Sequence, residues 1–387
     1  MHRRGFLKAA LAASGSLIGC ARAQVGNKPL REPTDAAIAA SERMERQQRA
    51  MTVVDAYSAC VNLDDLEQGG VDVVIQAVES EEILARIPDY PSDAPPPPGA
   101  NYWENIFQGD DVVKRVRQTI DRELEIVHDH PDRIALALTC GDIERIVASE
   151  RIAFVLMLKS SWINGSLETL RMYHKLGLRV MAVCHHEALP WADSSAERNA
   201  VPGLSAFGRE MIHECNRIGV AVDVSHSSDE TVWHTLEEAK KPLVATHSGC
   251  RALSDSPRDL TDDMLRAIAK TGGVVGIHSP TSRSREERSR ARLRRDRRLV
   301  KKYKNPFERA AAKLRDAIVW ATKLNLEHID HAVRIAGVDH VALASHCVSV
   351  AQWREFNEAL TDHGYREAER RKLLGTNMLR ALSETIG

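Results

Sequence analysis

Short apolar runs alternate with segments of helical spacing over most of the chain. The runs are rich in valine and isoleucine and are bounded by polar residues, which is typical of buried strands. Eight of them are predicted strands of one sheet, and they start at Met51, Gly70, Ile152, Arg179, Val220, Leu243, Gly273 and His340. A ninth run, Arg133 to Leu138, is predicted to be an accessory strand.

Strands that alternate with helices pair in parallel, since each helix returns the chain to the edge where the strands begin. Eight such units predict an α/β fold of the (β/α)8 TIM-barrel type. A doubly wound sheet is the alternative, but its phosphate-binding form needs a Gly-rich turn after the first strand. No such turn follows Met51 to Asp55, so we prefer the barrel.

The stretch from Gly219 to Met264 contains two predicted strands that each lead to a histidine, His226 and His247. Ser227-Ser228-Asp229-Glu230 follows the first and predicts a capping box, in which the serine hydroxyl and the glutamate satisfy free N–H groups of the next helix. The helix after His247 is predicted to begin near Thr261. Because the carboxyl ends of parallel strands lie side by side, the two imidazoles are expected to converge.

Histidines follow the predicted strands at five equivalent positions, which are His185, His226, His247, His278 and His346. A single histidine of this kind is usually structural. Five at the end of a barrel where active sites form predict a functional site, and neutral imidazoles are common metal ligands.

Composition excludes several classes of protein. The 387 residues carry a net charge of −1, so no nucleic-acid partner is expected. The chain has seven cysteines but no CxxC pair, which excludes a zinc ribbon.

Residues 1–23 have the pattern of a twin-arginine export signal, with Arg3 and Arg4, an apolar centre and a small-residue cleavage site that ends at Ala23. Leu17 to Cys20 also resembles a lipobox, which leaves a lipid anchor on Cys20 as the alternative. We therefore expect export to the periplasm, a polar segment at 24–50 and one barrel domain at 51–387.

From Leu167 to Gly387 the chain resembles the membrane dipeptidase (renal dipeptidase) family. The matching stretches include Leu170–Gly177, Pro190–Asp193, Gly203–Ser205 with Phe207–Gly208, Asp223–His226, His247–Ser248, Asp255–Asp262, Gly272–Gly276, His328–His331, Gly337–Val341 and Gly375–Asn377. The resemblance implies a (β/α)8 zinc peptidase in which two ions share a bridging glutamate. It also implies metal-ligand roles for His226 and His247, an oxyanion-binding role for His185 and a carboxylate-binding role for Arg258.

The chain departs from the family pattern at the other metal ligands. Tyr57 and Ala59 stand where the family has an HxD pair, and Leu158 or Lys159 stands where it has the bridging glutamate. His346 replaces the aspartate that handles the substrate amine. The resemblance therefore implies a degenerate site, in which the charge of Lys159 takes the place of an ion.

Two hypotheses follow. In the first, His226, His247 and His346 bind one zinc ion, and the protein is an exported hydrolase of a dipeptide or small peptide-like amide, with His185, Arg258 and His346 as catalytic residues. In the second, the barrel is catalytically silent and serves as a binding or accessory protein. Besides the substrate, we consider two partners, which are a membrane reached through a lipid on Cys20 and a second copy of the chain in a homodimer.

Overall fold

The computed structural model describes residues 51–58, 62–78, 110–199, 202–254, 256–278, 325–346 and 351–387. All of them belong to one unit, Gln47–Gly387. The predicted export signal at 1–23, the lipidation site Cys20, the polar segment at 24–50 and Ala59 lie outside the described residues.

Nine strands are present in the described residues, and every pair of neighbours is parallel. They are β1 Val54–Ser58, β2 Val73–Val78, β3 Ile134–Leu136, β4 Ile152–Leu158, β5 Leu178–Ala182, β6 Ala221–Asp223, β7 Val244–Ser248, β8 Val274–Ile277 and β9 Val341–Leu343. The order β1-β2-β4-β5-β6-β7-β8-β9 confirms the predicted set of eight. His247 lies inside β7 rather than after it.

The accessory strand β3 shares one edge of β4 with β5. Ile134 pairs with Ile152 at the start of β4, whereas Leu178 of β5 pairs with Leu156 near its end. The chain thus uses the early part of that edge for β3 and the later part for the barrel. This confirms the prediction that Arg133 to Leu138 is accessory.

The two ends of the sheet meet through hydrogen bonds between β1 and the segment after β9. The backbone N–H of His346 donates to the carbonyl of Tyr57 at 3.1 Å. Asp55 accepts from the backbone N–H of Ser345 at 2.9 Å and from its hydroxyl at 2.5 Å. These contacts close a (β/α)8 TIM-type barrel, as predicted.

Amphipathic helices follow the strands. The described helices are Leu63–Gly69, Asp110–Asp129, Cys140–Ala148, Leu167–Lys175, Ala206–Ile218, Asp229–Glu238, Arg251–Ser254, Asp262–Lys270, 325–336, Ala351–Asp362, Glu367–Arg371 and Asn377–Ile386, with a π-helical turn at Lys372–Thr376. None of the helices in this part of the chain is long and apolar enough to cross a membrane.

The caps around the histidine strands agree only in part with the prediction. A helix begins near Thr261, as predicted, with Thr261 as the cap of Asp262–Lys270, but a short helix, Arg251–Ser254, comes between it and His247. The helix after His226 is capped by Ser228, whose hydroxyl accepts from the backbone N–H of Thr231. The predicted capping box is wrong, because this cap places Thr231 at the third helical position and leaves Glu230 to pair with Arg198 at 2.6 Å.

The C-terminal helix Asn377–Ile386 covers the amino ends of the strands. Arg380 donates to the carbonyl of Gly272, just before β8, and the carbonyl of Gly387 accepts from the N–H of Cys140. Just before this helix, a side chain at Gly375 would lie 2.1 Å from the carbonyl oxygen of Thr52, so this approach requires glycine. Since this end is covered, the open end of the barrel is where the strands terminate.

Candidate metal centre and active site

Six histidines surround the carboxyl ends of five neighbouring strands. They are His185 and His186 after β5, His226 after β6, His247 in β7, His278 after β8 and His346 after β9. Neighbouring ring centroids around this end lie 4.1 to 5.8 Å apart. Tyr57, at the end of β1, stacks on His247 with a centroid distance of 3.7 Å.

Two of these histidines have left-handed backbone conformations, with φ of 69° at His226 and 48° at His346. Residues other than glycine rarely adopt this region, and such strain is typical of functional sites. At His226 the turn is held by hydrogen bonds from the N–H of Ser195 to its carbonyl and from the N–H of Ser227 to the carbonyl of Val224. The turn therefore fixes the position from which the imidazole projects.

His226 and His247 meet through their Nε2 atoms, which lie 3.0 Å apart. Behind His247, its Nδ1 lies 2.8 Å from the hydroxyl of Thr246, and that hydroxyl lies 2.6 Å from Oδ2 of Asp223. Oδ1 of Asp223 also accepts from the backbone N–H groups of Ser225 and Thr246. A carboxylate, a hydroxyl and two imidazoles thus form one continuous hydrogen-bonded chain.

These hydrogen bonds determine which ring nitrogens carry protons when Asp223 is ionised. The carboxylate only accepts, so the Thr246 hydroxyl donates to it and accepts from Nδ1–H of His247. Nε2 of His247 then carries a lone pair, and the 3.0 Å contact requires His226 to donate from Nε2–H. Nδ1 of His226 is left with a lone pair. It is buried and has no hydrogen-bond partner among the described residues.

Three histidines bring ligand atoms close enough to share a metal ion. One nitrogen each from His185, His186 and His226 lies within 4.8 Å of the other two. His185 and His226 are buried, at 6% and 5% exposure, whereas His186 is exposed at the barrel mouth. Among the described residues, these three histidines are the one group of at least three histidine, cysteine or acidic side chains whose ligand atoms all lie within 4.8 Å of one another.

Glu187 places a buried carboxylate beside this group. Its Oε1 accepts from Nε1 of Trp162 at 2.8 Å, and its Oε2 lies 3.8 Å from Nδ1 of His185. Burial raises the pKa of Glu187 to about 7, although the bond from Trp162 and the charge of Lys159 oppose this. The carboxyl therefore exchanges a proton near neutral pH.

Arg258 lies next to the histidines. Its Nη2 donates to the carbonyl of His247 at 2.6 Å, and its Nη1 donates to the hydroxyl of Ser248 at 3.1 Å. A guanidinium has five N–H donors, so donors remain for a ligand. Burial lowers the pKa of Arg258, but a guanidinium stays charged in proteins.

All six imidazoles are neutral at neutral pH. Loss of solvation is the largest cause, and the charge of Arg258 acts in the same direction on each ring. The pKa values of His185, His226, His247 and His278 lie well below 6.5. Those of His186 and His346 are lowered to about 4. Neutral imidazoles with free lone pairs are the form that binds metal ions.

The sequence-predicted residues share this end of the barrel but do not form one set of ligands. His226 and His247 converge as expected, His185 packs 4.2 Å from His226 by ring centroids, and Arg258 contacts the backbone of His247. The ring of His346 stacks on His278 at 4.8 Å and lies 5.3 Å from that of His247. His346 does not belong to the group His185, His186 and His226. The ligand set His226, His247 and His346 stays a prediction.

Sequence reasoning missed His186 and Glu187. Both directly follow His185, so the run His-His-Glu was a visible signal. The prediction stops at His185, which is the first histidine after its strand and the one to which the resemblance assigns a role.

A parallel eight-stranded barrel with converging imidazoles at its open end defines a TIM-barrel protein of the metallo-hydrolase fold. The chain belongs to the membrane dipeptidase family, since the model described as "Membrane dipeptidase (Peptidase family M19)" matches residues 34–386.

Two relatives show how far the similarity extends. The chain is 29% identical over 273 residues to an uncharacterized protein in the pqqA 5' region of Klebsiella pneumoniae, which covers 67% of this chain and 91% of that protein. It is 31% identical over 185 residues to human Dipeptidase 3, which covers 46% of this chain and 38% of that protein. The match thus spans less than half the length of Dipeptidase 3.

Solved structures support the fold. The probable dipeptidase PvdM from Pseudomonas aeruginosa superposes with a TM-score of 0.71 at 21% identity, over 90% of this chain and 99% of that one. A metallo peptidase from Rhodobacter sphaeroides, liganded with a phosphinate mimic of the dipeptide L-Ala-D-Ala, gives 0.67 at 20% identity, over 87% and 99%.

Proposed function

We propose that this protein is a metal-dependent hydrolase that cleaves an amide bond in a dipeptide or small peptide-like substrate, with one zinc ion rather than two. Family membership supports the class of reaction. The observation that carries the proposal is the buried Nδ1 of His226, which has no partner among the described residues and lies in a cluster of neutral imidazoles at the open end of the barrel. A polar site of this kind is suited to bind an ion.

The residues present do not fit a centre of two zinc ions. Tyr57, at the position of a metal-binding histidine in the family pattern, packs its ring against His247 instead. Lys159 is buried, and its positive charge lowers the pKa values of His185, His186 and His346. A second cation beside this ammonium group is electrostatically unfavourable.

The residues do fit one ion in the histidine cluster. When bound, a divalent ion there would polarise the scissile carbonyl and increase the acidity of water. Among the described residues, two guanidinium nitrogens of Arg258 bond to His247 and Ser248, so other donors can bind the carboxylate of a substrate. This contact anchors the substrate beside the imidazoles.

His346 is proposed to act at the amine end of the substrate. Its pKa near 4 keeps the ring neutral, so it accepts or donates a hydrogen bond without supplying the negative charge of an aspartate. Arg258 and Lys159 add positive charge to the same region. A substrate that carries a free carboxylate and no ammonium group therefore suits this site best.

The test is hydrolysis of a panel of free and N-acetylated dipeptides by purified protein, after removal of metal and after addition of one equivalent of Zn²⁺. We expect zinc-dependent release of amino acid, and we expect His226→Ala to abolish it. A wild-type protein that binds zinc but hydrolyses no member of either series would contradict the proposal.

The second candidate is a catalytically silent barrel that binds a peptide-like ligand. The stacking of Tyr57 on His247 favours it, because the aromatic ring occupies part of the region next to a predicted metal ligand. Under this hypothesis the wild type and His226→Ala bind the same peptides with equal affinity by calorimetry, with or without zinc. Loss of binding in the variant would count against it.

We also propose export by the twin-arginine route, on the basis of residues 1–23. Replacement of Arg3 and Arg4 by lysine should retain the protein in the cytoplasm, as measured by cell fractionation. A lipid on Cys20 and a homodimer stay predictions.

A further inference from the structure

We propose that the ion is bound by His185, His186 and His226, with Nδ1 as the ligand atom of His226, and that His247 positions the ring of His226 without binding the ion. This rests on the proposed function in one respect, because it locates the ion that the reaction requires. It replaces both the pair His226 and His247 as joint ligands and the oxyanion-binding role of His185.

The first argument is distance. One nitrogen from each of the three residues lies within 4.8 Å of the other two. Nitrogens that share a tetrahedral zinc ion at about 2.0–2.1 Å are about 3.3 Å apart. We infer that the imidazoles close on the ion by side-chain rotation, with exposed His186 the least enclosed of the three.

The second argument is the protonation of His226. With Asp223 ionised, the form to which the N–H groups of Ser225 and Thr246 donate, the hydrogen-bonded chain through Thr246 and His247 places a proton on Nε2 of His226 and a lone pair on Nδ1. In an imidazole these two nitrogens point in different directions, so Nδ1 does not face His247. A buried acceptor without a partner is energetically unfavourable, and a bound ion removes this penalty.

The third argument is the carboxylate beside His185. Histidine ligands usually direct their other ring nitrogen at a carboxylate or carbonyl, which orients the ring. Oε2 of Glu187 lies 3.8 Å from Nδ1 of His185, and the bond from Trp162 to Oε1 holds the carboxyl in place. At 3.8 Å this is an electrostatic contact rather than a hydrogen bond, and it leaves Nε2 as the ligand atom that we propose for His185.

The donor set indicates the class of metal. Three neutral imidazoles suit Zn²⁺, Co²⁺, Ni²⁺ or Cu²⁺, whereas Mg²⁺ and Ca²⁺ prefer oxygen ligands. Because His186 is exposed at the barrel mouth, the ion keeps one side open to water or substrate. A three-histidine site with an open position is a catalytic rather than a structural arrangement.

The test is the zinc affinity of the full chain, measured by competition with a chromophoric chelator, together with the visible absorption of the Co²⁺ form. Two single variants separate the ligand sets, because His186 belongs only to the proposed set and His346 only to the set predicted from sequence. Thermal unfolding without metal checks that both variants are folded.

We expect His186→Ala to weaken zinc binding by roughly 100-fold or more and to change the Co²⁺ spectrum, and His346→Ala to change the affinity less than about threefold. Full affinity in His186→Ala, or a large loss in His346→Ala, would overturn the assignment.

The outcome for the ligands is separate from that for the reaction. If zinc binding depends on His186 but no dipeptide is hydrolysed, the ligand assignment stands and the proposed function fails. If zinc-dependent hydrolysis occurs and His186→Ala binds zinc as tightly as the wild type, the ligand assignment fails and the proposed function stands.

Discussion

Replacement of Thr246 by valine tests the hydrogen-bonded chain that fixes the two central histidines. Valine has nearly the shape of threonine, so the change removes the hydroxyl without opening a cavity. The hydroxyl contributes a bond of 2.6 Å to Oδ2 of buried Asp223 and a bond of 2.8 Å to Nδ1 of His247. Both partners lose a contact that water does not replace, since Asp223 and His247 are 0% and 1% exposed.

The magnitude follows from these two contacts. A hydrogen bond to a charged group is worth about 1.5–3 kcal/mol, and a buried N–H without an acceptor costs about 1–3 kcal/mol. Thr246→Val should therefore lower the free energy of unfolding by about 3–5 kcal/mol, which is a large part of the stability of a typical domain. Thr246→Ser keeps the hydroxyl and loses one methyl group, so its cost should be about 1 kcal/mol.

The assay is urea unfolding of the metal-free protein at pH 7.5, with the slope of each transition compared among the three proteins. The zinc affinity of Thr246→Val should also fall by roughly 10- to 100-fold, because an outer partner that orients the histidines is lost. Equal stability of the valine and serine variants would refute the argument, since it would mean that the hydroxyl contributes nothing.

Four further predictions concern the same end of the barrel. The melting temperature of the metal-free protein should fall between pH 7.5 and pH 5.5, because the unfolded chain binds protons on six imidazoles that exclude them in the folded state. This outweighs the buried carboxyls of Asp55, Glu187 and Asp223, whose raised pKa values act in the opposite sense. Ser345→Ala should lower stability to urea by about 1–3 kcal/mol through loss of the bond that closes the barrel. Arg258→Lys should raise KM at least about tenfold for substrates with a free carboxylate, but not for their amides, in steady-state assays. His346→Asp should increase kcat/KM for dipeptides with a free amine relative to N-acetylated ones in the same assay.

The barrel was predictable because each strand is a short apolar run bounded by polar residues. The strand that contains Val244 is buried throughout and could be recognised without knowledge of its neighbours. The convergence of His226 and His247 was also predictable, because one βα unit separates them in a parallel sheet.

The details of the site depend on contacts that are distant in sequence. Ser228 rather than Ser227 caps the helix after His226. The N–H of Ser228 donates to the carbonyl of Asp193, which lies on another loop. The left-handed backbone at His226 and His346 has no sequence signal, since neither residue is glycine. Likewise, the sequence contains His186 and Glu187 but does not show which ring nitrogens face each other.

The most direct test of the account is the metal content per chain, measured by elemental mass spectrometry on protein that is purified without added metal or chelator. The account predicts one zinc or similar transition-metal ion per chain in the wild type and none in His226→Ala. Two ions per chain would contradict it, because a second ion would have to bind beside Tyr57 and Lys159. A folded wild-type protein that contains no metal, and takes up none when zinc is supplied, would contradict it equally.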